Sequence, residues 1–276
     1  MTIRPSPPRL RRRSGAAVVA ALAASTPALA AAAGGSGNDG VEAVAAELAN
    51  PLAAVTTVSA QYRAEFGVGP ADATHHTLRL QPSFFVPGQG RSAFLLRTIL
   101  PLRSVAWPAG ERGVGDLTLV PYYVPDVSSA TFVGYGAALG VPTASPDGLG
   151  SGRWTAGPAV LFAKTGSPLT WGGLAQHVWS FAGDPARGPV NVTTVQPFAT
   201  WLLGGGWSAG VNVEATRNGS LPAGERWTVP VALAMSRVVP LGASYANIGV
   251  AAVSYVERPS FAPAWELRLS VQYVIR

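Results

Sequence analysis

The chain has 276 residues, a formal net charge of +6 and no cysteine, with 48% hydrophobic but only 12% charged residues. Five arginines (Arg4, Arg9, Arg11, Arg12 and Arg13) crowd its start, and without them fifteen basic residues face fourteen acidic ones. That near-balance leaves no basic stripe to neutralise phosphates, which argues against nucleic acid as a partner. The missing cysteines exclude a disulfide framework and thiol chemistry.

Residues 1–30 read as a secretory signal peptide: an arginine cluster, the apolar stretch Gly15 to Ala24, and the small-residue cleavage pattern Ala28-Leu29-Ala30. The apolar stretch is too short to cross a bilayer of about 30 Å, and Ser25-Thr26-Pro27 breaks it. Residues 31–52 form a linker and a short helix. Ala31 to Gly37 are small residues, and Asn38-Asp39-Gly40 then opens a helical pattern from Val41 to Ala49, with Val41, Val44 and Leu48 on one face. That helix is an N-terminal plug, a periplasmic tether, or a segment that packs on nothing.

From residue 53 to 276 the dominant period is two. Trp265, Leu267, Leu269, Val271, Tyr273 and Ile275 alternate with Glu266, Arg268, Ser270 and Gln272. Twelve such segments are predicted: 53–63, 75–85, 91–100, 114–124, 129–141, 154–164, 169–180, 190–202, 206–217, 226–238, 245–256 and 264–275. Each suits a membrane-crossing strand of about ten residues. Facing is unclear near 171–180 and 246–256, where alternation is poor.

Connections alternate between long, as at 64–74, 101–113 and 142–153, and tight, as at 86–90 and 203–205. The predicted fold is therefore all-β: a transmembrane up-and-down antiparallel barrel of twelve strands with short periplasmic turns. Pro82, Pro121, Pro158, Pro197 and Pro230 recur at about hairpin spacing and read as bulge or bend sites. Trp154, Trp171, Trp207, Trp227 and Trp265 open strands, where interfacial girdles form.

Several stretches carry a resemblance. Leu139-Gly140-Val141-Pro142-Thr143-Ala144-Ser145 leads to Leu149-Gly150-Ser151-Gly152-Arg153-Trp154 and Ala156-Gly157-Pro158-Ala159. Asn50-Pro51-Leu52-Ala53, Gly67-Val68-Gly69-Pro70, Gly113-Val114-Gly115-Asp116 and Arg226-Trp227-Thr228-Val229-Pro230 add to it. Nearly the whole mature chain is similar, in order, to exported bacterial proteins grouped under a "MetA pathway of phenol degradation" label, some of them named neuromedin U. The resemblance implies an outer-membrane barrel of channel or transporter type; aromatic compounds enter by the label alone. Arg276 departs from the aromatic residue with which barrels often end.

Chemistry is thinly supplied. Three histidines and no cysteine make a metal site or a nucleophile poorly provided, so neither a cofactor nor a catalytic residue is assigned. His75 and His76 are adjacent and point to opposite faces. His177 and Ser180, three apart on one strand, do so too. The lumen charges say more. Arg97 and Asp116 should face inward and nearly opposite each other, and Arg63, Arg79, Glu214, Glu266 and Arg268 should also line the lumen. They either seal a narrow barrel as a salt-bridge network or set the selectivity of a polar pore. Gly134, Gly136, Ala138 and Gly140 leave space on the same face for a plug, a solute or side chains from across. Asp147-Gly148 and Gly150-Ser151-Gly152 read as a flexible, solvated outer loop.

These readings converge on an outer-membrane barrel, not an enzyme, that passively passes a small solute. A sealed structural or surface-interaction barrel and a lipid-acting outer-membrane enzyme are the alternatives. The expected partners are outer-membrane lipid, the barrel-assembly machinery and an unidentified small-molecule solute.

Overall fold

The computed structural model describes residues 38–49 and 55–275; the signal peptide, most of the linker and Arg276 lie outside the described residues. After α1 (Asn38–Leu48) come β1 (Thr56–Val68), β2 (Ala73–Pro87), β3 (Ala93–Val105), β4 (Glu111–Val114) and β5 (Leu117–Val124). Then follow β6 (Thr131–Val141), β7 (Arg153–Lys164), β8 (Leu169–Gly183), β9 (Asn191–Gly204), β10 (Trp207–Val213) and β11 (Ala215–Asn218). β12 (Trp227–Leu241), β13 (Ser244–Glu257) and β14 (Trp265–Ile275) complete the sheet. β4 and β5 are one barrel strand interrupted at 115–116, and β10 and β11 are one strand interrupted at Glu214. Twelve strands result, each antiparallel to its neighbours in sequence. β1 closes the barrel on β14, from Thr56↔Ile275 to Phe66↔Trp265.

Closure leaves the strands no open edge, and alternation decides which side each residue faces. On β14, Leu267, Leu269, Val271, Tyr273 and Ile275 are exposed on the outer wall, whereas Glu266 and Val274 are wholly buried. Exposed apolar residues recur around the circumference, including Val58, Phe84, Phe94, Leu233 and Ile248. A closed wall with an apolar exterior is what a hydrocarbon layer stabilises, and the protein is an outer-membrane β-barrel. Tryptophans mark both rims. Trp154, Trp227 and Trp265 follow long connections, with Phe66 stacked on Trp265 at 4.1 Å, whereas Trp171 and Trp207 follow tight turns.

The tight turns gather at one end, together with the start of β1 and the end of β14, which makes that end periplasmic. The turn between β9 and β10 has Gly204, Gly205 and Gly206 all at positive φ, a conformation that only glycine adopts without strain. Outer hairpins extend further than the sequence suggests. β1 runs to Val68 and β2 begins at Ala73, so the connection expected at 64–74 is a four-residue turn at 69–72.

The prolines interrupt ladders but, with one exception, make no bulge. Around Pro82 the β2–β3 ladder passes from Leu80↔Leu100 to Ser83↔Arg97 with the same register on both sides. The same holds at Pro121 between Leu119↔Leu139 and Tyr122↔Gly136, and at Pro158 between Ala156↔Trp179 and Ala159↔Gln176. Each proline lacks the N–H its ladder needs, so two pairs drop out while the strand stays extended. Only Pro230 coincides with a register shift, on its β13 side.

Two bodies occupy part of the periplasmic half of the lumen. The first is an apolar cluster on inward positions of β3, β5, β6, β7 and β8: Leu95, Val120, Tyr122, Val124, Phe132, Leu161 and Leu174 among others. The second is α1, whose Val41, Val44 and Ala45 pack on inward-facing Val238 and Val274, with Glu42 accepting a hydrogen bond from the Gly205 amide at 3.1 Å. Each buried valine contributes about 1.5–3 kcal/mol of transfer free energy. The helix therefore lies inside the barrel as a partial plug. The room left by glycine on β6 is taken by side chains of adjacent strands: Leu161 lies over Gly134, Tyr122 beside Gly136 and Thr155 over Gly140.

Candidate functional site

Between the apolar cluster, α1 and the outer loops lie three neighbouring chambers of about 420, 340 and 240 Å³. The outermost lies beneath residues 148–151; the innermost reaches Leu48 of α1, Thr57 and Gln272. A water molecule takes about 30 Å³ of liquid, so each chamber admits several waters or a small solute. The outer two share Arg79, Arg97, Ile99, Gln196 and Glu214. The inner two share Gln61, Gln81, Arg97, Asn247 and Ser270. Polar side chains reach these positions because each occupies the inward half of its strand's alternation.

All seven charges expected in the lumen point into it, in three different settings. Glu266 is wholly buried and accepts four hydrogen bonds: Arg63 Nε and Nη2 at 2.7 Å each, Arg268 Nε at 2.8 Å and the Tyr255 hydroxyl at 2.9 Å. Arg63 and Arg268 are direct cross-strand neighbours, a repulsive pairing that the shared carboxylate offsets. Arg79 and Glu214 come from far-apart strands, β2 and the β10–β11 junction, and meet across the lumen at 3.7 Å. This pair is a strut between the outer two chambers.

Arg97 and Asp116 do not pair. A bulge at Gly115-Asp116 separates Leu102↔Val114 from Ile99↔Thr118, adding one residue on the β4–β5 side. Arg97 therefore lies beside Val120, and Asp116 falls roughly 13 Å further along the strand direction, at about 3.3 Å per residue. Asp116 instead holds the outer loop. It accepts from the Ala144 amide at 3.3 Å, the Ser151 amide at 2.6 Å and the Ser151 hydroxyl at 2.8 Å.

That loop, 142–152, is not the flexible solvated turn its glycines suggest. Val114 and Ser145 form a bridge, Leu149 is buried in a short 3-10 turn (Asp147–Leu149), and Arg187 donates to the carbonyls of Asp147, Gly150 and Ser151. The loop thus folds over the outer mouth and narrows it.

Sequence reasoning missed Tyr255, Arg103, Arg187 and Tyr122, whose hydroxyl Arg97 reaches. Tyr255 lies in the segment whose alternation was too poor to assign a face. Arg187 lies in a connection, where periodicity carries no signal.

His177 faces the outer wall, bonded to Thr193 Oγ1 at 2.9 Å and against Trp179, while Ser180 faces inward and its hydroxyl accepts from the Val190 amide. No Ser–His pair forms there. No group of three metal-ligating side chains occurs among the described residues.

No protein-family model matches the chain, and no curated protein resembles it in sequence. Solved structures do match its fold. An outer membrane channel from Pseudomonas putida F1 superposes with a TM-score of 0.61 at 16% identity, over 80% of this chain and 96% of that one. The NanC porin superposes with a TM-score of 0.54 at 12% identity, over 80% of this chain and 99% of that one.

Proposed function

We propose that this barrel is a passive outer-membrane channel for a small polar solute. The observation that carries the reading is the series of neighbouring polar-lined chambers from the outer loop to α1, adjacent ones sharing side chains. A barrel built only for structure would gain more from packing that space. The Arg79–Glu214 strut and Arg97 mark the constriction, where selectivity is set at close range. Its fold likeness to a channel and a porin agrees with this reading.

A second reading has its own support. α1 and the 142–152 loop narrow the two ends, and the Arg63–Glu266–Arg268–Tyr255 network stiffens the wall, as a sealed barrel would require. Liposome swelling separates the two. Vesicles carrying the refolded mature protein should swell in an isosmotic solution of a small neutral sugar; vesicles that hold folded barrel and never swell would favour the sealed form. Aromatic compounds, named in the label of the family that the sequence resembles, are the first metabolites to assay.

A further inference from the structure

We propose that Arg97 binds the carboxylate of a small organic anion whose apolar body lies on Ile99, Leu174 and Phe198. This inference rests on the channel reading and names its solute class. Arg97 lines all three chambers, so a solute crossing the lumen meets it throughout, and in the innermost chamber it is the sole charge. The ion pairs seen among the described residues leave out Arg97. Three other lumen arginines are spoken for: Arg63 and Arg268 hold Glu266, and Arg79 holds Glu214; Arg103, which has no ion pair either, lines only the outermost of the three chambers. Asp116, the expected partner of Arg97, is committed to the outer loop.

An arginine left without a carboxylate offers a planar fork of N–H donors that fits an incoming carboxylate better than a spherical anion. The chamber around it is not uniformly polar. Ile99, Leu174 and Phe198 line the same middle chamber of about 340 Å³, which gives an alkyl or ring body an apolar wall beside the charge. A cation meets repulsion at Arg97, and an inorganic anion forgoes the wall.

The test uses hexanoate as the probe, read on the refolded mature barrel by single-channel recording in chloride and, separately, by saturation-transfer NMR. Hexanoate should produce discrete blocking events and a saturable NMR signal, both weakened about tenfold or more in Arg97→Gln, a factor equivalent to about 1.4 kcal/mol. Arg91→Gln, on an exposed periplasmic turn, should leave both unchanged. Heat-modifiable mobility on gels checks that each variant is folded. Equal block by hexanoate, phosphate and hexylamine, or block that survives Arg97→Gln, overturns the proposal while open-channel steps keep the channel reading. A silent barrel that still binds hexanoate through Arg97 overturns the channel reading alone. A silent barrel without such binding overturns both.

Discussion

Arg63 and Arg268 face each other across the β1–β14 ladder, and only the Glu266 carboxylate between them makes that tolerable. Arg63 is 3% exposed, Arg268 11% and Glu266 not at all, so removing the shared carboxylate strands two guanidiniums largely away from water. Glu266→Leu should destabilise the barrel by about 3–5 kcal/mol, and the apolar triple replacement Arg63→Met, Glu266→Leu and Arg268→Met by clearly less. Equilibrium unfolding from lipid vesicles measures both; equal losses would mean that the network is not desolvated. The outer wall obeys a different rule. Leu269→Arg should cost about 2–4 kcal/mol near the midplane. Gln272→Arg, on the lumen side of the same strand, should cost much less, and equal costs would contradict the facing. At the β5–β6 turn, the Ser128 hydroxyl and then its amide donate to Asp126, holding its carboxyl below the ordinary range. That contribution is present above the unfolded pKa and is lost as pH falls through the lower folded one. Ser128→Ala should therefore raise the Asp126 pKa in a carboxyl NMR titration.

At the scale of elements, what the sequence revealed followed from where one side of a strand meets lipid and the other meets water. All twelve segments became strands, because the outward apolar series, such as Leu267 to Ile275, is imposed by the membrane. β8 and β13 were hard to face for a physical reason. Their inward Leu174 and Val253 are buried, so both faces are apolar. The Arg97–Asp116 pairing failed mainly because the hairpin turns later than counting about 101–113 assumed, with Val105 paired to Glu111, and the extra residue at Gly115-Asp116 then shifted the register once more. The 142–152 loop was misread because what fixes it, Asp116 and Arg187, is distant in sequence. The helix was legible as amphipathic, but its dock on Val238 and Val274 was not. If that dock narrows the passage, Val44→Asp should loosen α1 and raise conductance several-fold while the barrel stays folded. Unchanged conductance in a folded variant would remove α1 from the permeation path.

For the molecule as a whole, the barrel wall and its contents do separate work. The wall meets lipid and closes on itself, while α1, the apolar cluster and the outer loop reduce a wide lumen to a narrow polar path. The central claim is that this path is continuous for water and a small solute. Single-channel conductance of the refolded mature protein in a planar bilayer tests it most directly, with Arg97→Ala and Arg268→Ala recorded alongside. Discrete steps in potassium chloride, with an anion preference that weakens in Arg97→Ala, are the predicted result. A folded, heat-modifiable barrel that stays silent at every voltage would contradict it.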